Sequence, residues 1–184
     1  AKEYDVKGLY GRPGYIDSHV HIESSMLSPE EFASLGVPRG TTAIIADPHE
    51  ITNVCGMAGV EYIYKASQSV PLDVHIQLPS CVPAPPFEHS GAIPSGKDIE
   101  ANICSNEVFG LGEFMNFPGV IGADGDVVRK LEAAHNAGKI IDGHAPCVLG
   151  DSLNAYLCGG IVTDHECDSP EEMAQKADRG VYVQ

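Results

Sequence analysis

An α/β fold with a parallel sheet is what this sequence predicts, and three observations carry the expectation. Apolar runs rich in β-branched residues recur along the chain, near-continuous rather than alternating, as in strands buried on both faces. Segments with helical periodicity and capping signals separate them. Successive runs start about 20–35 residues apart, which is the length of a strand plus a helical crossover to the next parallel strand.

Taken in order, the first strand is expected over Gly14–Ile22. Ser28-Pro29-Glu30-Glu31 then opens a helix, with a serine cap, proline at the first helical position and a glutamate three residues beyond the cap. A second strand is expected over Thr41–Asp47, a helix over Met57–Ser67 and a third strand over Asp73–Pro79. The proline-rich stretch Ser80–Gly96 reads as a long loop before the next helix, and loops of that length are often functional. The fourth strand is placed at Val108–Phe114. Asp126–Ala137 follows as a helix, apolar at Val127, Leu131 and Ala134 and stopped by Gly138. Ile140–His144 is the fifth strand, Asp151–Cys158 a helix and Gly160–His165 the sixth strand. Ser169-Pro170-Glu171-Glu172 repeats the capping signature, and Val-Tyr-Val after Gly180 begins a seventh strand. No repeat, low-complexity segment or linker divides the chain. Two architectures fit this rhythm, an open doubly wound sheet and a (β/α)8 barrel, and the pattern does not choose between them.

Composition narrows the function. The 184 residues carry 11 Lys+Arg against 26 Asp+Glu, a formal charge of −15. That charge argues against a nucleic-acid backbone or an anionic membrane surface as the main partner. Nothing approaches the roughly 18 consecutive apolar residues of a membrane span. The N-terminus has no apolar signal-peptide core and does not start with Met, so sequence upstream is expected. The six cysteines, at 55, 81, 104, 147, 158 and 167, form no CxxC pair. Free thiols in a reducing cytoplasm are therefore expected, rather than a disulfide scaffold or a zinc ribbon.

The histidines point to chemistry by where they fall. Of eight, four end expected strands: His19 and His21 the first, His144 the fifth and His165 the sixth. Glu113 ends the fourth. Strand residues i and i+2 share a face about 6.5–7 Å apart, so His19 and His21 can reach one ion. Parallel strands present their C-terminal ends at one edge, where α/β sites form. Imidazoles and a carboxylate gathered there suit Zn, Mn or Fe. Such ions lower the pKa of bound water towards about 7, so the set reads as metal-assisted hydrolysis with one ion or two. His75, His89 and His135, each isolated, read as structural. Asp47-Pro48-His49-Glu50 forms a second polar cluster after the second strand. Asp47 there is either a proton-transfer or substrate-binding carboxylate, or a turn cap with His49 and Glu50 solvated. Glu166 is a candidate proton shuttle or imidazole partner, whereas Glu23 and Glu88 read as structural.

The stretch Pro13-Gly14-Tyr15-Ile16-Asp17-Ser18-His19-Val20-His21 resembles the opening motif of the amidohydrolase superfamily. Further motifs follow in order: His21–Leu27, Ala46–Glu50, Leu78–Ala84, Gly110–Glu113, Met115–Val120, Asp142–Pro146 and Asp164–Glu166. Together, from about Gly8 to the end of the chain, they resemble the adenine deaminase branch of that superfamily. The resemblance implies a (β/α)8 TIM barrel of the metal-dependent hydrolase type, incomplete here, with about six to seven of its eight βα units. Residues 1–12 would be the end of an upstream β-sandwich segment and residues 13–184 the partial barrel.

By the same resemblance, adenine would be hydrolysed to hypoxanthine and ammonia by a metal-activated hydroxide, in purine salvage. Two divalent ions would serve, Mn or Fe foremost and Zn as an option. His19 and His21 would hold one ion and His144 and His165 the other, with Glu113 bridging. Glu113, Asp47 and Glu166 are the candidate catalytic carboxylates. The intact enzyme would be cytoplasmic and homo-oligomeric, with adenine as its small-molecule partner and neither nucleic acid nor membrane.

Two departures from the pattern stand out. Cys147 replaces an expected glycine, and the family's last ligand, an aspartate ending the eighth strand, is not among these residues. The 184 residues alone are accordingly expected to bind metal weakly and to deaminate adenine poorly. The alternatives are another amidohydrolase acting on a cyclic amide, which usually carries lysine where Glu113 stands, and a non-catalytic metal-binding fragment. Cytidine-deaminase chemistry is excluded by the lack of CxxC.

Overall fold

The computed structural model describes residues 2–85 and 87–184. Residues 2–14 contain no helix or strand and are exposed. From there, strands and helices alternate. In chain order they are β1 Tyr15–Val20, α1 Pro29–Gly36, β2 Thr41–Ala46, α2 His49–Cys55, α3 Met57–Ser67 and β3 Asp73–Leu78. These lead into α4 Gly96–Asn102, β4 Val108–Phe114, α5 Phe117–Ile121, α6 Gly125–Asn136 and β5 Ile140–Gly143. The chain continues through α7 Gly150–Leu157, β6 Thr163–Asp164, α8 Pro170–Ala177 and β7 Tyr182–Val183. Among the described residues no helix is long and apolar enough to cross a membrane.

Strand order decides between the two architectures left open by the sequence. β1 to β5 form one parallel sheet in unbroken order, each strand beside its predecessor. A doubly wound sheet reverses its order at a switch point, and this one does not. β6 and β7 pair in parallel as a second piece. The Val162 N–H donates to the Ile141 carbonyl at 3.2 Å, which sets that piece beside β5. The sheet curls into an arc of a TIM barrel.

The local signals act as the side-chain chemistry requires. Ser28 caps α1 by accepting from Glu31 N at 3.3 Å, and Ser169 caps α8 by accepting from Glu172 N at 3.1 Å. Asp124 caps α6, which turns Val127, Leu131 and Ala134 inward. Gly138, at φ +65°, adopts the left-handed conformation that stops the helix. Ile44, Ile76, Leu78, Leu111 and Ile141 on the strands pack with Ile63, Ile99, Leu131 and Leu153 on the helices in one core. Burying each such side chain contributes about 1.5–3 kcal/mol.

Helix α2 is an addition to the expected elements, and three others differ from expectation. β1 ends at Val20, because the Ile22 carbonyl already accepts from Ser25 N in a tight turn. β6 is Thr163–Asp164 alone. Gly160, at φ +86°, closes the turn after α7 by donating to the Leu157 carbonyl at 2.9 Å, so those residues cannot extend the strand. Helix α5 was not foreseen. It is only five residues long, nucleated where the Asn116 side chain accepts from Gly119 N at 3.0 Å.

Candidate metal centre

The C-terminal ends of the strands converge on Glu113, which is 2% exposed near the end of β4. Its backbone is tied on both sides. Its N–H donates to Asp47 Oδ2 at 2.8 Å, and its carbonyl accepts from Ser80 Oγ at 2.6 Å. Lys130 Nζ on α6 in turn donates to the Ser80 carbonyl at 3.0 Å. Gly112 is required beside it, since a Cβ there would lie 2.3 Å from Asp47 Oδ2.

Five imidazoles surround the Glu113 carboxylate. His144 Nδ1 and His165 Nε2 lie 2.9 and 3.0 Å from Oε2. His49 Nδ1 and His21 Nε2 lie 2.9 and 3.5 Å from Oε1, and His19 Nε2 stands 4.0 Å from Oε2. The outer nitrogens of the first pair are committed elsewhere. His19 Nδ1 pairs with Asp142 Oδ2 at 2.8 Å, and His21 Nδ1 with the Asp47 carbonyl at 2.7 Å. Both Nε2 atoms therefore face inward, 3.1 Å apart. On the other side, His144 Nδ1 and His165 Nε2 are 3.2 Å apart. Tyr156 fixes the His144 loop, its hydroxyl accepting from His144 N at 3.0 Å and donating to the Phe114 carbonyl at 2.9 Å.

The electrostatics follow from burial against charge. Burial pushes the Glu113 carboxyl up, but His144, His165 and His49 overcome this and hold it below its usual range. Burial likewise lowers His49, yet Glu113 and Asp47 raise it to about 9. For Asp47, burial and the Glu113 charge act together and push its carboxyl well up. Asp142 is buried too, but the His19 and Thr163 hydrogen bonds keep it low.

Whether these residues fit divalent ions is testable on the site itself. Several close contacts are not hydrogen bonds. His49 Nδ1 and Glu113 Oε2 are buried with no hydrogen-bond partner despite neighbours within 3 Å. Asp47 Oδ1 is also buried without a partner. Donor atoms each about 2.0–2.2 Å from a common ion lie about 3–3.4 Å from one another, close to the spacings seen here. Four groups here gather candidate ligand atoms: His19, Glu113 and His165; His21, His49 and Glu50; Asp47, His49 and Glu113; and His144, His165 and Glu166. The residues fit.

All five expected ligands thus come together, and Asp47 lies beneath them. Asp47 is wholly buried, and it does not cap α2, whose first turn carries no side-chain cap. Glu166 is exposed at the rim beside His144 and His165. Glu23 accepts from Ile51 N at 3.2 Å, a structural contact. Sequence reasoning missed two participants. His49 is not solvated, because α2 begins at that residue and turns its ring onto Glu113. Asp142 looked like a strand residue, although its place two before His144 on a strand end was a signal. Beside His144 a cleft of about 870 Å³ opens, walled by Val82, Phe87, Met115 and Phe117.

An arc of parallel strands with a histidine-ringed carboxylate at its C-terminal edge is the scaffold of metal-dependent hydrolases, and residues 12–184 match the amidohydrolase family, to which the chain belongs. Family membership implies divalent metal ions, and the described residues include groups able to hold them.

Within the family the chain is similar to proteins named adenine deaminase. It is 56% identical to adenine deaminase 2 of Desulfotalea psychrophila over 181 residues, 98% of this chain and 31% of that protein. It is 54% identical to the adenine deaminase of Clostridium acetobutylicum over 98% of this chain and 32% of that protein. For the adenine deaminase of Halalkalibacterium halodurans the identity is 50%, over 99% and 31%. The chain spans about a third of the length of the curated relatives it matches.

Proposed function

We propose that this chain carries the metal-binding part of an adenine deaminase, which hydrolyses adenine to hypoxanthine and ammonia. The observation that carries the reading is the ring of five imidazoles on Glu113, in a chain about half identical to proteins of that name. On this reading residues 13–184 are barrel and residues 1–12 the end of a neighbouring β-sandwich segment. The enzyme is cytoplasmic and homo-oligomeric, and binds neither nucleic acid nor membrane.

His19 and His21 would hold one ion and His144 and His165 the other, with Glu113 as the carboxylate ligand. Mn or Fe suits this mixed imidazole and carboxylate set, with Zn as an alternative. Divalent ions bound there supply Lewis acidity and make water acidic enough to ionise near pH 7. The protein's own groups do the rest. The cleft beside His144 presents apolar walls to the faces of a flat purine. Glu113, kept ionised by its imidazoles, supplies the fixed negative charge of the site, and the proton of the attacking water reaches the ring nitrogen next to C6 by way of Asp47 or Glu166. Asp47, buried and pushed towards its protonated form, and Glu166 at the rim are the candidates for passing a proton to the leaving amine. The balance is adenine plus water to hypoxanthine plus ammonia.

Ammonia release from adenine, measured with protein containing these residues and added Mn²⁺, tests the reading. Turnover abolished by His144→Ala is expected. Hydrolysis of a cyclic amide such as dihydroorotate, with none of adenine, would favour the other amidohydrolase reading instead.

A further inference from the structure

Lysine is almost never fully buried unless paired, yet Lys176 on α8 is 0% exposed. Its three protons go to the Ala145 carbonyl at 3.0 Å, the Glu166 carbonyl at 3.1 Å and Glu172 Oε1 at 2.7 Å. Asp164 Oδ2 stands 2.8 Å away as a second anionic partner. Ala145 follows His144, and Asp164 and Glu166 flank His165.

The anions extend the same grip. Glu172 Oε1 also accepts from Cys147 N at 2.9 Å, and its Oε2 from Asp168 N at 3.1 Å. Asp164 Oδ1 accepts from Glu166 N at 2.9 Å, and Gln175 Oε1 from Gly150 N at 3.2 Å. One face of α8 therefore receives the loop after β5 and the loop after β6, and each of these loops follows one imidazole. His19 and His21 are held differently, by Asp142 and the Asp47 carbonyl, neither of which bonds to Lys176.

Stability alone gives no reason for this arrangement. A buried ion pair is often matched or bettered by apolar residues of the same volume. What it supplies is position: His144 Nδ1 and His165 Nε2 must both stay within 3.0 Å of one Glu113 oxygen. We infer that Lys176 is a positioning residue for one half of the site, holding His144 and His165 in register with Glu113, so that it governs the ion bound there and not the ion at His19 and His21. The inference rests on the two-ion reading above.

The test is a titration of metal-stripped protein with Mn²⁺, followed by electron paramagnetic resonance, with thermal unfolding as a control on the fold. Wild type is compared with Lys176→Met, Glu172→Gln, His144→Ala and His19→Ala. Substituting groups that hydrogen-bond to metal ligands typically weakens binding about 10–100-fold. Lys176→Met should weaken one ion by that factor, leave the other at wild-type affinity, and so match His144→Ala and not His19→Ala. Glu172→Gln keeps the lysine and the side-chain volume, and should weaken the same ion by less. Folded Lys176→Met protein that binds both ions normally, or loses both alike, overturns the inference. If Lys176→Met does not fold, Glu172→Gln decides: selective weakening supports the role, and equal or absent weakening refutes it. Wild type that takes up no Mn²⁺ refutes the metal reading itself, and that arm separates the two failures.

Discussion

Replacing Asp142 by asparagine changes one atom in the coordinates and a good deal in the chemistry. The carboxylate is 1% exposed. Its Oδ1 accepts from Gly143 N at 2.9 Å and from the Thr163 hydroxyl, and its Oδ2 faces His19 Nδ1 at 2.8 Å. Asparagine must leave its oxygen with the two donors and turn its NH₂ towards His19. Nδ1 must then accept, and the His19 proton moves to Nε2, the atom that faces His21 and Glu113. A protonated Nε2 cannot ligate. The expected cost is about 10–100-fold in affinity for the ion at His19 and His21, or about 1.4–2.7 kcal/mol. Calorimetric titration with Mn²⁺ measures it, with His19→Ala as the reference for complete loss. Folded Asp142→Asn protein that binds Mn²⁺ within about threefold of wild type would refute the idea that this hydrogen bond sets the ligand atom.

Two further changes probe the frame around Glu113. Tyr156→Phe removes the hydroxyl shared by His144 N and the Phe114 carbonyl. It should cost about 1–3 kcal/mol, read as a fall in urea midpoint at unchanged slope. No loss would mean that the two groups find other partners. Gly112→Ala puts a methyl group 2.3 Å from Asp47 Oδ2, so the carboxylate must leave Glu113 N. Weaker Mn²⁺ binding in a folded protein is expected, and unchanged binding would show that Asp47 does not hold Glu113 in place.

Much of the fold is legible in the sequence because its signals are local. The runs at Thr41–Ala46 and Val108–Phe114 are rich in apolar and β-branched residues without strict alternation, as strands covered on both faces tend to be. Ser28 and Ser169 announce their helices with the atoms that cap them. Sheet order is not local, and the unreversed run from β1 to β5 had to be seen in the structure. The gathering of the site follows the same division. His19, His21, Glu113, His144 and His165 stand out because parallel strands bring their C-terminal ends to one edge. His49 is ambiguous in the sequence, where Pro48 permits either a solvated turn or a helix that starts at once. Lys176 gives no signal at all. It lies on a helix of mixed polar and apolar residues, and its burial depends on Glu172 of that helix and on groups from two distant loops.

The central claim is that the ring of histidines around Glu113 is a centre for two divalent ions. Anomalous diffraction from crystals grown with Mn²⁺ tests it most directly. Two peaks about 3.5–4 Å apart are expected, one against His19 and His21, the other against His144 and His165, with Glu113 between them. Density at neither position, with Mn²⁺ bound instead at another group such as Cys147, Asp168 and Glu172, would contradict it.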